Sequence, residues 1–545
     1  MGLLLLQTQQ YDHAVEWLSR AILQDPRTDY LSTLGIALKQ MGRLDDALRV
    51  FDKAVQLKPD DAELWKQFGG VLVAVDRAAD ALVAFQRALQ LNPSHWEAAY
   101  QSGILLHQLQ RFDEALLQFN ACDQLRPAHA PTLQMRARAF RALKRYQECL
   151  ADNTRAHVLD PADPYTCNNM GDALLWLGRY EDGLQWFDKA LALQPDFIEV
   201  LLNKGFALFH MHRFDEAAET YRRVTELDPG NAKAAWQLAH LALLSGNFAA
   251  GWAGREARWR APDFSPEYPK FSLPKWLGRE PVDGKTILVH VDEGIGDTLQ
   301  FARYLPLIAD RGARVVFIAQ DALCPLLSGV RGVSECVPFS ARTYPSFDMH
   351  CPIMSLPLAF GTTLETIPPA NYLPPLPAER IAQWESRLGP HDRLGVGLVW
   401  SGNPKQGNDR NRSMPFAHLA PLLDLDATFV SLQKDPRPGD AALLAKSNVV
   451  DLTADLTDFA ETAALVSCLD VVITVCTGVA HLAATLGRPT WVMLPYLPDW
   501  RWLLDRDDSP WYPTVRLFRQ DGARDFARVV ESVRTELKTT ISSRR

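Results

Sequence analysis

A proline recurs every 34 residues through the first half of the chain, and the intervals between these prolines share one internal layout. In one interval, Gly35 is followed by Ala47, Phe51 and Ala54. Small residues at such offsets let two helices cross closely around an aromatic side chain, and a proline opens the next turn. The pattern predicts stacked helical hairpins that bury their apolar faces against their neighbours. The prolines are Pro59, Pro93, Pro127, Pro161, Pro195 and Pro229, and Pro26 precedes the first by 33 residues.

This layout resembles the tetratricopeptide repeat (TPR). We predict an all-α TPR solenoid over residues 1–260, with about seven repeats and a capping helical pair over residues 231–260 that carries Trp252 and Trp259. A TPR array holds a ligand in the groove of a superhelix and has no chemistry of its own. The resemblance therefore implies a protein or glycan acceptor in the TPR groove, and we expect any reaction in the second half of the chain.

Composition excludes several other classes of protein. The formal net charge of -8 and the pI of about 5.9 argue against a nucleic-acid-binding protein, which usually has a basic face. No run of 18 apolar residues occurs, so we expect no transmembrane segment. The start of the chain lacks the basic region of a signal peptide. The eight cysteines form no C-x-x-C pair, so we expect no metal site and no disulfide framework, and a reducing cytoplasm is the expected location.

The second half of the chain changes character. Residues 261–283 are rich in proline and are predicted to be a linker. Strand-like runs then alternate with helical ones, and the predicted strands are Thr286–Val291, Val315–Ala319, Gly395–Trp400, Thr428–Leu432, Val449–Leu452, Asp470–Val475 and Pro489–Leu494. Such alternation predicts an α/β fold of two Rossmann-like domains, residues 284–377 and residues 378–545, the second ending in a terminal helix. Ligands of such sheets bind at the carboxyl ends of the strands, where the polar motifs of this half lie.

The first motif, Asp292-Glu-Gly-Ile-Gly-Asp297, follows the first predicted strand and opens a helix. Gly294 and Gly296 let the backbone turn tightly and approach a ligand. Asp297 is predicted at the helix N-terminus, where its carboxylate faces a cleft. The alternative is a glycine turn with Asp297 as a helix cap, which is common.

The second motif is a polar loop after the strand Gly395–Trp400. It carries Lys405, Arg410, Arg412 and Ser413. Cations beside a helix N-terminus suit a diphosphate, because the arginine guanidinium matches the geometry of phosphate oxygens. The alternative is a solvated loop with structural ion pairs.

The third motif comprises Cys476, Thr477, Gly478 and His481, directly after the strand Asp470–Val475. The helix that follows offers free N–H groups to an anion. A thiol at a helix N-terminus can have a lowered pKa, but a small buried cysteine is the alternative for Cys476. His481 lies one turn inside this helix, where a lone histidine is more often a packed core residue than a catalyst. The aromatic stretch Pro495–Trp502 is better explained by core packing than by sugar binding.

Taken in this order, the motifs resemble the heptosyltransferase group, glycosyltransferase family 9, which has the GT-B fold. Bacterial fusions of TPR arrays to such a domain are similar in plan. The resemblance covers about residues 273–535. It implies a nucleotide-sugar-binding C-terminal domain, transfer of a sugar to an acceptor hydroxyl, and no cofactor or essential metal.

The resemblance also implies roles for individual residues. Asp297 matches the general base of the family, and Arg412 lies where the family carries a lysine near the donor phosphates. Thr477, Gly478 and His481 match the helix end that receives the diphosphate. One departure stands out, because Cys476 replaces an aspartate that is usual in the family and is implicated in holding the donor.

Three functions stay open at this point. The chain can be a TPR-coupled glycosyltransferase whose array recruits the acceptor or a protein partner. It can be a catalytically silent GT-B domain in a TPR protein-binding scaffold, which the departure at Cys476 favours. It can be a heptosyltransferase-type lipopolysaccharide enzyme, although a lipid-linked acceptor hardly needs so long an array.

Overall fold

The computed structural model describes residues 1–261, 271–341, 343–390 and 392–544. It forms two compact units, residues 1–220 and residues 221–545. The first unit is helical, and the second contains the parallel sheets.

The first unit is a series of helical hairpins. In four of the described hairpins the glycine of the repeat lies against the phenylalanine, and a Cβ atom at Gly35 or Gly171 would lie 2.5 Å from the ring of Phe51 or Phe187. This close crossing is why the sequence has glycine there, and it confirms the TPR prediction. The helices are α1 (Gly2–Gln7), α2 (Tyr11–Gln24), α3 (Thr28–Gln40), α4 (Leu44–Leu57), α5 (Ala62–Ala74), α6 (Ala78–Leu91), α7 (Trp96–Gln108), α8 (Phe112–Leu125), α9 (Ala130–Ala142), α10 (Tyr146–Leu159), α11 (Pro164–Trp176), α12 (Tyr180–Leu193), α13 (Ile198–His210) and α14 (Phe214–Leu227), the last of which continues into the second unit.

The turn inside each hairpin repeats the period in the backbone. One residue per turn has a positive φ, and these residues are spaced by 34 like the prolines. Glycine adopts this conformation readily, whereas residues with a Cβ atom adopt it at a cost in free energy. The residues are Gly42, Asp76, Gln110, Lys144, Gly178, His212 and Gly246.

The second unit opens with one more hairpin of this kind, α15 (Ala232–Leu244) and α16 (Phe248–Arg255), followed by a 3₁₀ turn, Glu256–Arg260. We call α15 and α16 the terminal helical pair. Its Trp252 is buried against the rings of Phe301 and Trp500, and its Nε1–H donates to the Thr362 carbonyl at 3.0 Å. The predicted solenoid boundary at residue 260 thus differs from the division at residue 220, because this pair packs on the α/β part.

The first sheet is parallel, with strand order β3-β2-β1-β4. Its central strand β1 is fully buried at Ile287, Leu288 and Val289, as expected of a strand covered on both faces. The strands are β1 (Thr286–His290), β2 (Arg314–Ala319), β3 (Val333–Pro338) and β4 (Met349–Pro352), and the helices are α17 (Ile295–Phe301), α18 (Leu305–Ala309), α19 (Cys324–Leu327) and α20 (Leu356–Ala359).

The second sheet is also parallel, with strand order β10-β9-β8-β5-β6-β7. The chain runs outward from β5 in one direction and then resumes at β8 on the other side, as in dinucleotide-binding sheets. The strands are β5 (Leu394–Val399), β6 (Ala427–Ser431), β7 (Val450–Asp451), β8 (Val471–Val475), β9 (Thr490–Leu494) and β10 (Val515–Arg519), and the helices are α21 (Ala378–Leu388), α22 (Asp409–Arg412), α23 (Ala420–Leu423), α24 (Pro438–Leu444), α25 (Phe459–Ser467), α26 (Gly478–Thr485) and α27 (Phe526–Arg544).

A solenoid followed by two Rossmann-like parallel sheets confirms the predicted fold class and is consistent with a GT-B fold. Of the predicted linker, residues 262–270 lie outside the described residues. The described remainder is packed, since Trp276 is fully buried and its Nε1–H donates to the Glu280 carbonyl at 3.1 Å.

Candidate functional site

A cleft of about 1320 Å³ lies between the carboxyl ends of the two sheets. Residues after β1 form one side, and residues after β5, β6, β8 and β9 form the other. The strand order reverses between β1 and β4 in the first sheet and between β5 and β8 in the second. Open α/β sheets bind ligands at such a reversal, which is called the switch point. A further wall comes from the terminal helical pair, through Trp236, His240 and Arg255.

The loop after β1 is anchored by Asp292. This side chain is fully buried, and one of its oxygens accepts from Nε and Nη2 of Arg258 at 3.1 and 2.7 Å. The other oxygen accepts from the backbone N–H of Met354 at 3.1 Å. A buried carboxylate satisfied in this way holds the loop in place and is not available to a ligand.

Gly296 serves helix packing. A Cβ atom there would lie 2.9 Å from Cδ2 of His481, so α17 and α26 approach too closely for any side chain. Gly294 precedes α17, and its backbone N–H donates to Oδ2 of Asp297 at 3.0 Å. Both glycines line the cleft.

Asp297 is the third residue of α17, and its carboxylate caps the helix through Gly294, as an acidic residue does at this position. Its other oxygen, Oδ1, pairs with Nη2 of Arg501. Arg501 is buried and also donates to Asp499 at 2.7 Å and to Oε1 of Gln300 at 2.6 Å. Asp297 thus lies in the cleft as expected, within the first turn of α17. Its ion pair with Arg501 joins the two sides of the cleft.

Glu293 is a cleft residue that the sequence did not single out. Its carboxylate pairs with Arg255 of the terminal helical pair, and Gln320 donates to its backbone carbonyl at 3.1 Å. Burial, together with the negative charges of Asp297 and Asp292, raises the pKa of Glu293 to about 7. A carboxyl group in this range can lose and gain a proton near neutral pH.

The loop after β5 is built around Ser413. Its hydroxyl donates to Asp409 at 2.6 Å and accepts from the Gly402 backbone N–H at 2.8 Å. Ser413 is buried outside the cleft lining, and Arg410 is exposed and also outside it. Lys405 is exposed and lines the cleft. The structure therefore brings only part of this cationic loop, as far as it is described, to the cleft.

Arg412 connects this loop to the loop after β8. Its Nη1 donates to the carbonyl of Cys476 at 3.1 Å. Its Nε is buried and has no hydrogen-bond partner within the described part of the chain. A Cβ atom at Gly402 would lie 2.5 Å from its Nη2, so glycine there makes room for the guanidinium. Its Nε also lies 3.7 Å from Oδ1 of Asp409, so Arg412 is placed by packing and by this ion pair.

The loop after β8 leads into α26. Thr477 precedes the helix and Gly478 begins it, without a side-chain cap on the first N–H groups. Cys476 is buried, and its Sγ accepts from Nε1 of Trp502 at 3.1 Å. Burial raises the pKa of the Cys476 thiol, so the possible lowering by the helix N-terminus is overridden. All three residues line the cleft.

His481 is packed against the floor of the cleft. Its Nδ1 is 3.0 Å from the Tyr512 hydroxyl, and its ring stacks on Trp502 with centroids 5.5 Å apart. Burial and the charges of Arg501 and Arg303 hold its pKa well below the usual range. A neutral imidazole in this setting can donate or accept one hydrogen bond but adds no charge.

The structure thus brings nine predicted residues to one cleft and leaves two outside it. Sequence reasoning missed Glu293, Arg255 and Arg501. Glu293 lies within a motif that was recognised, and Arg501 lies in the aromatic stretch that was assigned to the core. The nine are Gly294, Gly296, Asp297, Lys405, Arg412, Cys476, Thr477, Gly478 and His481, and the two are Arg410 and Ser413.

Protein-family models match segments in both halves of the chain. Tetratricopeptide repeat models match residues 28–61, 67–130 and 164–231. The model of glycosyltransferase family 9 (heptosyltransferase) matches residues 441–492, which include β8 and α26 but neither Asp297 nor Arg412. The chain therefore contains TPR repeats, which are a protein-interaction module. Its match to the family 9 model supports the presence of a glycosyltransferase domain in the second half.

Protein FlbA of Caulobacter vibrioides is 28% identical over 314 residues, which are 51% of this chain and 50% of FlbA. The chain thus spans about half the length of this curated relative. Among solved structures, the TPR protein YrrB is 21% identical with a TM-score of 0.32 over 34% of this chain and 95% of its own. PilF of Pseudomonas aeruginosa is 19% identical with a TM-score of 0.34, over 38% of this chain and 94% of its own.

Among the helices that the structure describes, none combines the length and the apolar character needed to cross a bilayer. No cluster of three or more His, Cys, Asp or Glu side chains has the arrangement of a metal site in the described residues.

Proposed function

We propose that the second unit transfers a sugar from a nucleotide-sugar to an acceptor hydroxyl, and that the repeats recruit the acceptor or a protein that carries it. The observation that carries the proposal is the meeting of Arg412 with the N-terminus of α26 at the switch point of the second sheet. The match of α26 to glycosyltransferase family 9 supports it.

The donor diphosphate would bind at this meeting point. Arg412 lines the cleft and supplies a positively charged guanidinium there. The first turn of α26 supplies backbone N–H groups and the positive end of the helix dipole. A Cβ atom at Gly478 would lie 3.1 Å from Cγ2 of Ile295, so glycine at this position lets α26 approach α17 closely. The exposed Lys405 lines the same cleft and can reach the phosphates from the rim. The cleft volume of about 1320 Å³ exceeds the roughly 300–1,000 Å³ of most small-molecule sites, which leaves space for an acceptor group beside the donor.

The chemistry follows from these charges. The acceptor oxygen forms a bond to C1 of the sugar while the bond from C1 to the diphosphate oxygen breaks. Negative charge grows on the leaving nucleoside diphosphate, where Arg412 and the α26 N-terminus stabilise it. We propose that these groups carry that role without an essential metal ion or cofactor.

The acceptor proton would pass to Asp297, as the resemblance to glycosyltransferase family 9 implies. Its carboxylate lies in the same cleft and is oriented by Gly294 and Arg501. A positioned base typically supplies roughly 10²–10⁴-fold in rate. Asp297→Asn keeps the capping oxygen and should lower sugar transfer by about that factor while nucleotide binding stays near the wild-type value. Retention of more than roughly a tenth of the rate would make Asp297 a cap only.

The donor site is tested by calorimetric titration of the full chain with nucleoside diphosphates. Arg412→Ala should weaken binding by about 1.5–3 kcal/mol, the range for a hydrogen bond to a charged group. Arg410→Ala is the matched control, because Arg410 lies on the same loop but outside the cleft lining. Equal affinities for the two variants would move the donor site elsewhere.

A second candidate is a catalytically silent domain in a TPR scaffold, and Cys476 favours it. The thiol is buried, its pKa is raised, and it adds no charge where the family usually carries an aspartate. Nucleotide binding without release of nucleoside diphosphate from any tested nucleotide-sugar would support the scaffold. Measured turnover would exclude it.

A further inference from the structure

The three carboxylates of the loop after β1 have different surroundings. Asp292 is fully buried and accepts from Arg258 and a backbone N–H. Asp297 has one oxygen on a backbone N–H and the other on Arg501. The Glu293 carboxylate has Arg255 as its only hydrogen-bond partner among the described residues, and it faces the same cleft. Glu293 is therefore the least constrained of the three.

Arg255 is held by packing rather than by a network of ion pairs. Its guanidinium lies 4.6 Å from the ring centre of Trp236 and 5.7 Å from that of Trp500. Arg255 is buried, and its Nε has no hydrogen-bond partner in the described part of the chain. The terminal helical pair thus contributes a fixed positive charge to the loop that carries Asp297.

We propose that Glu293 is a positioning residue of the transfer reaction, which in its charged form favours proton transfer from the acceptor hydroxyl to Asp297. This inference rests on the proposed function. The step it affects is the one in which the O–H bond of the acceptor breaks, its proton moves to Asp297, and the oxygen bonds to C1 as the diphosphate leaves. A proton arriving at Asp297 relieves repulsion between the two carboxylates, and this gain disappears when Glu293 is itself protonated.

The charges around Glu293 determine how it titrates. Burial raises its pKa to about 7, the negative charges of Asp297 and Asp292 act in the same direction, and Arg255 and Arg258 act against it. The positive charge of Arg501, which pairs with Asp297, also interacts electrostatically with Glu293. Glu293 is therefore protonated below about pH 7 and charged above it, so we expect transfer to accelerate as pH rises through this value.

The experiment is a pH–rate profile of the full chain at saturating donor, between about pH 5.5 and 8.5. The wild type should show a rise centred near pH 7. Glu293→Gln should be several-fold slower at pH 8 and should lack this rise, because its side chain carries no charge at any pH. Glu293→Asp keeps an ionisable group and should keep a rise. Nucleoside diphosphate affinity, measured in parallel, should be the same in all three and serves as the test of folding.

Arg255→Met gives an independent test with a defined sign. Loss of its positive charge should raise the pKa of Glu293 further and move the midpoint of the profile to higher pH. Arg260→Met is the matched control, because Arg260 is exposed on the following turn. An unchanged profile in Glu293→Gln, or an unmoved midpoint in Arg255→Met, would overturn the role of Glu293 alone. Absence of transfer by the wild type would overturn the proposed function and this role together.

Discussion

The two units of the chain are stabilised by contacts of different range. In the first unit, buried charged side chains pair within a repeat or with the next one, as Arg136 does with Asp152 at 2.6 Å, 16 residues away. In the second unit, buried arginines join distant segments. Arg501 pairs with Asp297 across 204 residues, and Arg303 donates to the Trp511 carbonyl across 208.

This difference should govern how each unit responds to damage. In a solenoid, each repeat contacts only its neighbours, so loss of stability stays near the altered site. A unit whose core and polar contacts join segments far apart in sequence should instead lose stability as a whole. Equivalent substitutions should therefore lower stability locally in the first unit and throughout the second unit.

The largest expected effect comes from removing a buried aromatic side chain. Trp252→Ala in the second unit and Phe119→Ala in the first should each cost about 3–5 kcal/mol, because each leaves a cavity in a closed core. Hydrogen exchange followed by mass spectrometry should show faster exchange in both sheets for Trp252→Ala. For Phe119→Ala, faster exchange should be confined to α7–α10 and their immediate neighbours.

Each substitution is the control for the other in that experiment. A change in Trp252→Ala that stayed within α15 and α16 would show that the terminal helical pair unfolds separately from the sheets. Equal spreading of both changes over the chain would remove the distinction between the two units.

A smaller effect is expected at acidic pH, where the two units should lose different amounts of folding stability. His290 and His481 are buried in the second unit; burial lowers the pKa of His290 to about 3 and that of His481 well below its usual range. The unfolded chain takes up a proton at each below about pH 6.5 and the folded chain does not, so folding stability falls as pH drops. Between pH 6.5 and 5 each histidine should cost up to about 2 kcal/mol.

The first unit is the internal comparison for that measurement. Its His107 and His129 shift in the same direction but are only half-buried. Hydrogen exchange, corrected for the pH dependence of the intrinsic rate, should therefore show the second unit losing more stability than the first. An equal loss in both units would mean that other groups control acid unfolding.

The smallest effect concerns helix caps within the first unit. Asp163 accepts from the backbone N–H groups of Tyr165 and Thr166 and also from Gln134 of the preceding repeat, at 2.8 Å. Asp163→Ala should cost about 0.5–2 kcal/mol. Asp61 caps α5 in the same way, and Asp61→Ala is the comparison. A larger loss at Asp163, measured by urea denaturation, would show that the link to the neighbouring repeat adds to the cap.

The sequence predicted most of what depends on a local pattern. The 34-residue period gave the repeats, and apolar runs gave the strands β1, β2, β5, β6, β7, β8 and β9. It did not predict β3 and β10, whose exposed Glu335 and Arg516 interrupt the apolar pattern, nor the short β4. Motifs at strand ends led to nine residues of the cleft because strand ends converge in a parallel sheet.

What the sequence could not predict depends on contacts between distant residues. Ser413 and Arg410 belong to the right loop, but only the fold decides which side chains of a loop face the cleft. The pairs Glu293–Arg255 and Asp297–Arg501 join segments that have no common pattern in sequence. The boundary at residue 260 followed the repeat layout, which continues into the terminal helical pair although that pair packs on the α/β part.

The terminal helical pair has a consequence for recombination and protein engineering. By its layout it is one more repeat, yet its Trp252 and Arg255 complete the core and the cleft of the α/β part. A chimera that exchanges repeat arrays should therefore be joined in the turn between α14 and α15, close to the boundary of the two units, rather than at residue 260. Joined at 260, it would inherit a foreign hairpin and expose the rings of Phe301 and Trp500. A foreign repeat array can be grafted onto the α/β part only if the graft leaves the terminal helical pair in place.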